Sequence, residues 1–166
     1  MLKKLLPLFF VTTLITPCWA AKTAELGDTV LVEYTGKLKT GAIFDTNVGN
    51  VGKEDLKFTL GEGHMLKDFE DAFIGMSKGE TKTIEIPAAN AYGEFNEKQV
   101  VRTETAKLPE GAKVGDELTL KTTQGYFPVR VVLIDGDLAF IDGNHKLAGQ
   151  DLSFEVKLND IIKSQD

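Results

Sequence analysis

The sequence has 166 residues, 25 acidic against 19 basic side chains and a net charge of −6. A 42% apolar share is enough to bury a core, which excludes wholesale disorder, and no cluster of Lys and Arg is dense enough to neutralise a row of phosphates, which excludes a nucleic-acid binder. One Cys and two isolated His cannot assemble a disulfide framework or a Cys/His zinc site.

Residues 1–20 read as a secretory signal. Met1 to Lys4 form a basic start, Leu5 to Thr16 an apolar stretch, and Pro17-Cys18-Trp19-Ala20 an exit with cleavage expected after Ala20. The stretch is too short to span a membrane, and a buried helix would need an amphipathic pattern that is missing here. A lipid anchor on Cys18 is the alternative, and Pro17 directly before it is awkward for that processing. Cleavage would remove Lys3, Lys4 and Cys18, taking the charge from −6 to −8 and leaving no cysteine, which suits an oxidising compartment. No later stretch approaches spanning length, so the expectation is an exported, soluble chain without stable membrane insertion.

Period-two alternation dominates the rest of the chain. Val30, Val32 and Tyr34 share one strand face; Leu56, Phe58 and Leu60 a second; Ile84 and Ile86 a third; Leu152, Phe154, Val156 and Leu158 a fourth. Together they predict one antiparallel sheet. Between the second and third, Met65, Phe69, Ala72, Phe73 and Met76 recur at helical spacing, with Gly75 and Gly79 marking the exit. One amphipathic helix on the inner face of an antiparallel sheet is an α+β arrangement.

The middle of the chain alternates differently. Leu118 and Leu120, a turn at Gln124-Gly125, then Phe127, Val129, Val131 and Leu133, an Asp135-Gly136 turn, and Leu138 with Phe140 predict a small all-β unit over 102–142. Pro128 should sit at an edge or beside a bulge. The last strand of the first sheet comes after this unit, so the chain divides into 21–101 plus 143–166, with 102–142 inserted; a single larger β-domain is the alternative. Leu26-Gly27-Asp28 and Val114-Gly115-Asp116 each open a strand.

Parts for acid-base, nucleophilic or metal catalysis are lacking. No Ser lies in a nucleophile-elbow context, and Gly61-Glu62-Gly63 reads as a turn into the helix rather than a phosphate cradle. His64 and His145 read as lone exposed or capping residues, and Glu54-Asp55 and Asp68, Glu70 and Asp71 as solvated charges. Any catalysis must need only shape and an apolar wall.

Five ordered motifs fit that description. Val32-Glu33-Tyr34-Thr35-Gly36-Lys37-Leu38, Gly41-Ala42-Ile43-Phe44-Asp45-Thr46, Phe58-Thr59-Leu60-Gly61, Gly75-Met76-x-x-Gly79-Glu80 and Ala89-x-Ala91-Tyr92-Gly93 resemble the signatures of FKBP-type peptidyl-prolyl cis-trans isomerases. The run from Asp142 through Asn144, His145, Leu147 and Gly149 to Phe154 resembles the SlyD-like branch, whose flap carries an inserted chaperone domain. The resemblance implies an FKBP-like sheet wrapped on a helix and an isomerase that needs no cofactor.

Its pocket would comprise Tyr34, Phe44, Asp45, Leu56, Met65, Leu66, Phe69, Tyr92 and Phe154. Tyr92 would donate its hydroxyl to a substrate carbonyl, Asp45 would orient the peptide or the Tyr34 hydroxyl, and Phe69, where many members have Trp, would give a smaller floor. Tyr126, Phe127 and Val129 of the insert would bind unfolded clients. The branch often ends in a metal-binding tail, whereas this sequence ends at Lys163-Ser164-Gln165-Asp166, so no metal site is expected. The partners implied are unfolded or proline-containing polypeptides in the periplasm, met by a monomer. A non-catalytic chaperone with a vestigial pocket is the other reading; the presence of Asp45, Tyr92 and Phe154 favours activity.

Overall fold

The computed structural model describes residues 22–49, 54–123 and 125–164. The expected signal over 1–20 and Gln124 of the expected turn lie outside these.

Two antiparallel sheets form. The first is built on β1 (Thr29–Leu38), which pairs along one side with β9 (Leu152–Ile162), itself flanked by β4 (Thr81–Ile86). The other side of β1 is shared: its first half pairs with β3 (Leu56–Thr59) and its second half with β2 (Ile43–Thr46). Between these two partners the Asn47 side chain takes the place of a strand. Its Oδ1 accepts the Tyr34 N–H at 2.7 Å and its Nδ2 donates to the Val32 carbonyl at 2.9 Å, so backbone groups at the gap stay paired.

The four alternating faces predicted from the sequence meet in this sheet, and Val30, Val32, Phe58, Ile86, Leu152 and Leu158 are buried from it. The fold is α+β as expected, but the helix is shorter than its periodicity. Only Lys67–Asp71 (α1) is α-helical, and the chain then tightens, Phe73 N–H donating to Glu70 O and Met76 N–H to Phe73 O. Gly75 N–H leaves the helical pattern for Ala24 O at 2.8 Å. The apolar spacing survives because Phe69, Phe73 and Met76 are buried all the same; burial, not helix continuity, is what the pattern encodes.

The second sheet has the order β5 (Val100–Glu104), β8 (Leu138–Asp142), β7 (Gly125–Asp135), β6 (Glu117–Thr122). Its small core is Val129, Val131 and Ile141, with Leu108, Leu118 and Ile134 packed against it. Two local expectations are corrected. The β7–β8 loop is Gly136-Asp137, because Asp135 pairs with Leu138. Pro128 meets its expectation locally: β7 is an interior strand, but β8 ends opposite Arg130 and leaves Pro128 at an edge, paired only to β6. Leu133 leaves the face of Phe127, Val129 and Val131, because a bulge sets Val131 opposite Ile141 but Leu133 opposite Phe140.

Both strand-opening Gly-Asp turns have one geometry. Gly27 and Gly115 take φ of 88° and 98°, and Asp28 and Asp116 each accept, through Oδ2, the N–H three residues earlier at 2.8 Å.

Candidate active site

A cavity of about 440 Å³ opens on the first sheet, and it is lined by all nine residues expected of the pocket together with His64. They arrive from several elements: Tyr34 from β1, Phe44 and Asp45 from β2, Leu56 from β3, Met65 and Leu66 from the turn before α1, Phe69 from α1, Phe154 from β9. Tyr92 comes just after the short turn at Ala88–Asn90, where Ala91 and Gly93 N–H groups return to Pro87 and Ala88 carbonyls.

The apolar wall is a set of edge-on aromatic rings. Phe154 meets Phe44 at 5.6 Å and Phe69 at 5.0 Å between centroids, while Tyr34 meets Phe69 at 6.3 Å. Phe69 in turn packs on Phe58 and Phe73, so the floor is continuous with the core. Gly36 makes the arrangement possible: a Cβ there would stand 2.6 Å from Phe44 Cζ and 3.0 Å from Phe154 Cε1, so any side chain would push both rings apart. That is a steric reason for glycine in the Tyr34-Thr35-Gly36 motif.

Polar groups occupy one side. The Tyr34 hydroxyl donates to Asp45 Oδ2 at 2.6 Å. Burial, followed by this hydrogen bond and the Asp45 charge, pushes the Tyr34 phenol up to about 12, so it is neutral and a donor at physiological pH. Tyr92 is 41% exposed at the rim.

Sequence reasoning missed two contributors. His64 lines the cavity, with Nδ1 3.3 Å from Glu62 Oε2 on the exposed lip; its position directly before Met65-Leu66 was the available signal. Glu70, expected to be solvated, is 5% exposed: its Oε1 accepts the Gly61 N–H, tying α1 to the turn that carries Met65 and Leu66. Nothing in the charge pattern distinguishes it from Asp68, which instead accepts from Asn90 Nδ2 at 2.8 Å.

The three residues expected to bind clients are not brought together. Phe127 and Val129 line a groove of about 300 Å³ with Val101, Leu120 and Ile141. Tyr126 lies on the opposite face of β7, paired across to Lys121, whose Nζ is 5.9 Å from its ring centre. Val129 is 8% exposed and belongs to the small core, forming the groove floor, whereas Phe127 is 44% exposed.

A sheet wrapped over a short helix, with an aromatic cavity between them, defines a class, and comparison with known proteins agrees. The family model for FKBP-type peptidyl-prolyl cis-trans isomerase matches residues 20–159, and the chain belongs to that family. It is 30% identical over 146 residues to a short-type peptidyl-prolyl cis-trans isomerase of Methanocaldococcus jannaschii, covering 81% of this chain and 92% of that protein. It is similar to FKBP-type isomerases named SlyD from Aeromonas hydrophila, at 33% identity over 80% of this chain, and from Vibrio cholerae, at 36% over 75%. Of those two proteins the match spans 61% and 62%, somewhat less than two thirds of their length. The chain is a SlyD-like peptidyl-prolyl cis-trans isomerase.

Proposed function

We propose that this protein turns over X-Pro bonds in the cavity between Phe44, Phe69 and Phe154, and that it serves exported clients which its second sheet holds while they are unfolded. The barrier to rotation is amide resonance, about 20 kcal/mol, which makes uncatalysed isomerisation slow. Twisting the C–N bond breaks resonance and reduces charge separation. An apolar wall accommodates that less dipolar state better than water does, so desolvation acts selectively on the transition state. A thousandfold gain requires about 4 kcal/mol of such selectivity.

Each residue then has a task. Phe44, Leu56, Met65, Leu66, Phe69 and Phe154 enclose the proline ring. Tyr92, at the rim, donates its hydroxyl to a substrate carbonyl. Asp45 holds the Tyr34 hydroxyl and thereby fixes the polar side of the cavity. The observation that carries this reading is the convergence of these side chains from separate elements on one aromatic cavity.

The chaperone part rests on the groove of the second sheet. Val101, Leu120 and Phe127, each 41–51% exposed, present more apolar surface than so small a core requires, and such surfaces take up unfolded segments. We further propose that residues 102–142 form an inserted domain and that residues 1–20 direct export to the periplasm.

The test is expression of the full chain in a Gram-negative host, fractionation and N-terminal sequencing, then refolding of a proline-limited client. Recovery in the periplasm beginning at Ala21, with accelerated refolding, is expected. Cytoplasmic retention would remove the export reading, and unaccelerated refolding at micromolar protein would remove the pocket mechanism.

A further inference from the structure

Tyr92 and His145 belong to the two stretches that join the sheets, Tyr92 leaving toward β5 and His145 returning from β8 toward β9. Their rings stack face to face, 3.9 Å between centroids and 10° between planes. Neither the expected pocket nor the expected client site contains His145.

The stack sits on a framework that holds both rings. Asn144 Oδ1 accepts the Asn96 N–H at 2.9 Å, and its Nδ2 donates to the Asn96 carbonyl at 3.0 Å. Gly143 N–H donates to Gln99 O at 3.0 Å, and Gly149 N–H to Gly93 O at 2.8 Å, so the two stretches are bonded on both sides of the stack. The imidazole is fixed within its own turn, where Nδ1 accepts the Leu147 N–H at 3.2 Å and Leu147 is buried in the main core.

Tyr92 has much less of its own support. It is 41% exposed, and among the described residues no hydrogen bond holds its hydroxyl. An aromatic ring so placed would exchange rotamers freely unless a neighbour restrained it. The neighbour is His145, which also lines a cleft of about 280 Å³ with Pro128, Val129 and Arg130 of the second sheet.

We propose that His145 is a positioning residue for the isomerase reaction: its imidazole, anchored by the Leu147 N–H, holds the Tyr92 phenol in the orientation it needs at the pocket rim. The proposal rests on the reading of Tyr92 as a pocket residue. The ring-on-ring contact does the positioning, and the Nδ1 bond keeps the ring in place.

Two substitutions separate these parts. His145→Asn removes the ring but leaves a side-chain oxygen able to accept the Leu147 N–H in the same kind of turn; His145→Phe keeps a ring and loses the acceptor. In the full chain, expressed in a Gram-negative host and purified, His145→Asn should lower kcat/KM for a short proline peptide about threefold to tenfold, the span that an aromatic pair's stabilisation converts to. His145→Phe should recover most of that loss. In a Tyr92→Ala background, His145→Asn should have no further effect, because the ring it positions is gone.

NMR gives a readout independent of turnover. The Tyr92 ring protons should move toward solvent-averaged shifts in His145→Asn and stay near their parent values in His145→Phe. Unchanged Tyr92 shifts in His145→Asn would overturn the proposal. So would a loss of activity that persists equally in the Tyr92→Ala background. If Tyr92→Ala alone leaves turnover intact while the shifts respond as expected, the catalytic reading of Tyr92 falls, and with it the positioning role, although the stack itself stands.

Discussion

The Tyr34 hydroxyl and the Asp45 carboxylate, on neighbouring strands, share a hydrogen bond of 2.6 Å across the mouth of the aromatic cavity. Burial is the larger cause of the raised Tyr34 phenol and Asp45 the second. Asp45→Asn should therefore bring Tyr34 ionisation down from about 12 only part of the way toward its ordinary 10. Tyrosinate absorbance, with Tyr34→Phe as the subtraction control, measures it. The raised value also sets the sign for stability: the contribution is complete below pH 10 and is lost as pH rises through 12, since the unfolded chain releases this proton first. A return all the way to the ordinary value would show that Asp45, not burial, sets it.

Lys163 closes the opposite end of β1. Its Nζ donates to Asp28 Oδ2 at 2.9 Å, to Glu25 Oε2 at 3.0 Å and to the Thr23 carbonyl at 2.9 Å, while Ser164 N–H reaches Asp28 Oδ1. Asp28 is 2% exposed, and the Lys163 hydrogen bond holds its carboxyl below the usual range while Lys163 is raised. The contribution of Asp28 is present above its ordinary 3.8 and is lost as pH falls through its lowered value; that of Lys163 is present below 10.5 and is lost as pH rises through its raised one. Lys163→Met should lower the thermal midpoint at pH 7 and shrink that difference in acid. An equal gap at pH 2 and pH 7 would show that lost packing, not the ion pair, is responsible.

Much of the first sheet was legible because its strands alternate in hydrophobicity and each has one buried face. The cavity was legible through its motifs: Gly36, Phe44 and Phe154 are joined by a steric requirement that leaves a mark in the sequence. What stayed hidden depends on contacts between distant residues. The stacking of Tyr92 on His145 needs the path through the second sheet to be known, and the burial of Glu70 needs the free Gly61 N–H. The bulge that turns Leu133 away is equally invisible, since Val131-Val132-Leu133 is apolar at every position and alternation cannot report a slip within it.

If the groove on the second sheet holds clients, as proposed, holding and turnover can be separated by substitution there. Leu120 and Phe127 face each other across β6 and β7 and are both more than 40% exposed, so Leu120→Ser with Phe127→Ser removes apolar surface at little cost to folding. Turnover of a proline tetrapeptide should stay within about twofold of the parent, a change of under 0.5 kcal/mol. Acceleration of a proline-limited protein client should drop about tenfold, as expected for roughly 1.4 kcal/mol of lost client binding. Equal losses on both substrates would mean that the groove does not act separately from the pocket.

Phe154 decides between an apolar wall and a single hydrogen bond as the main source of catalysis. It is 7% exposed and is the ring that Phe44 and Phe69 both meet, so Phe154→Ala opens the cavity to water on two sides. Tyr92→Phe removes only the hydroxyl and keeps a ring to stack on His145, a loss of about 1 kcal/mol net, or roughly fivefold in rate. If selective desolvation drives the reaction, Phe154→Ala must cost more than that in tetrapeptide turnover. The truncation also removes core, at about 3–5 kcal/mol of stability, so the comparison is made at a temperature where circular dichroism shows both variants folded. Phe154→Leu supplies a second measurement: it keeps the wall apolar and most of its volume, and its turnover should fall between the parent and Phe154→Ala. Tyr92→Phe proving the slower of the two folded variants would place the catalytic advantage in the hydrogen bond and end the desolvation account.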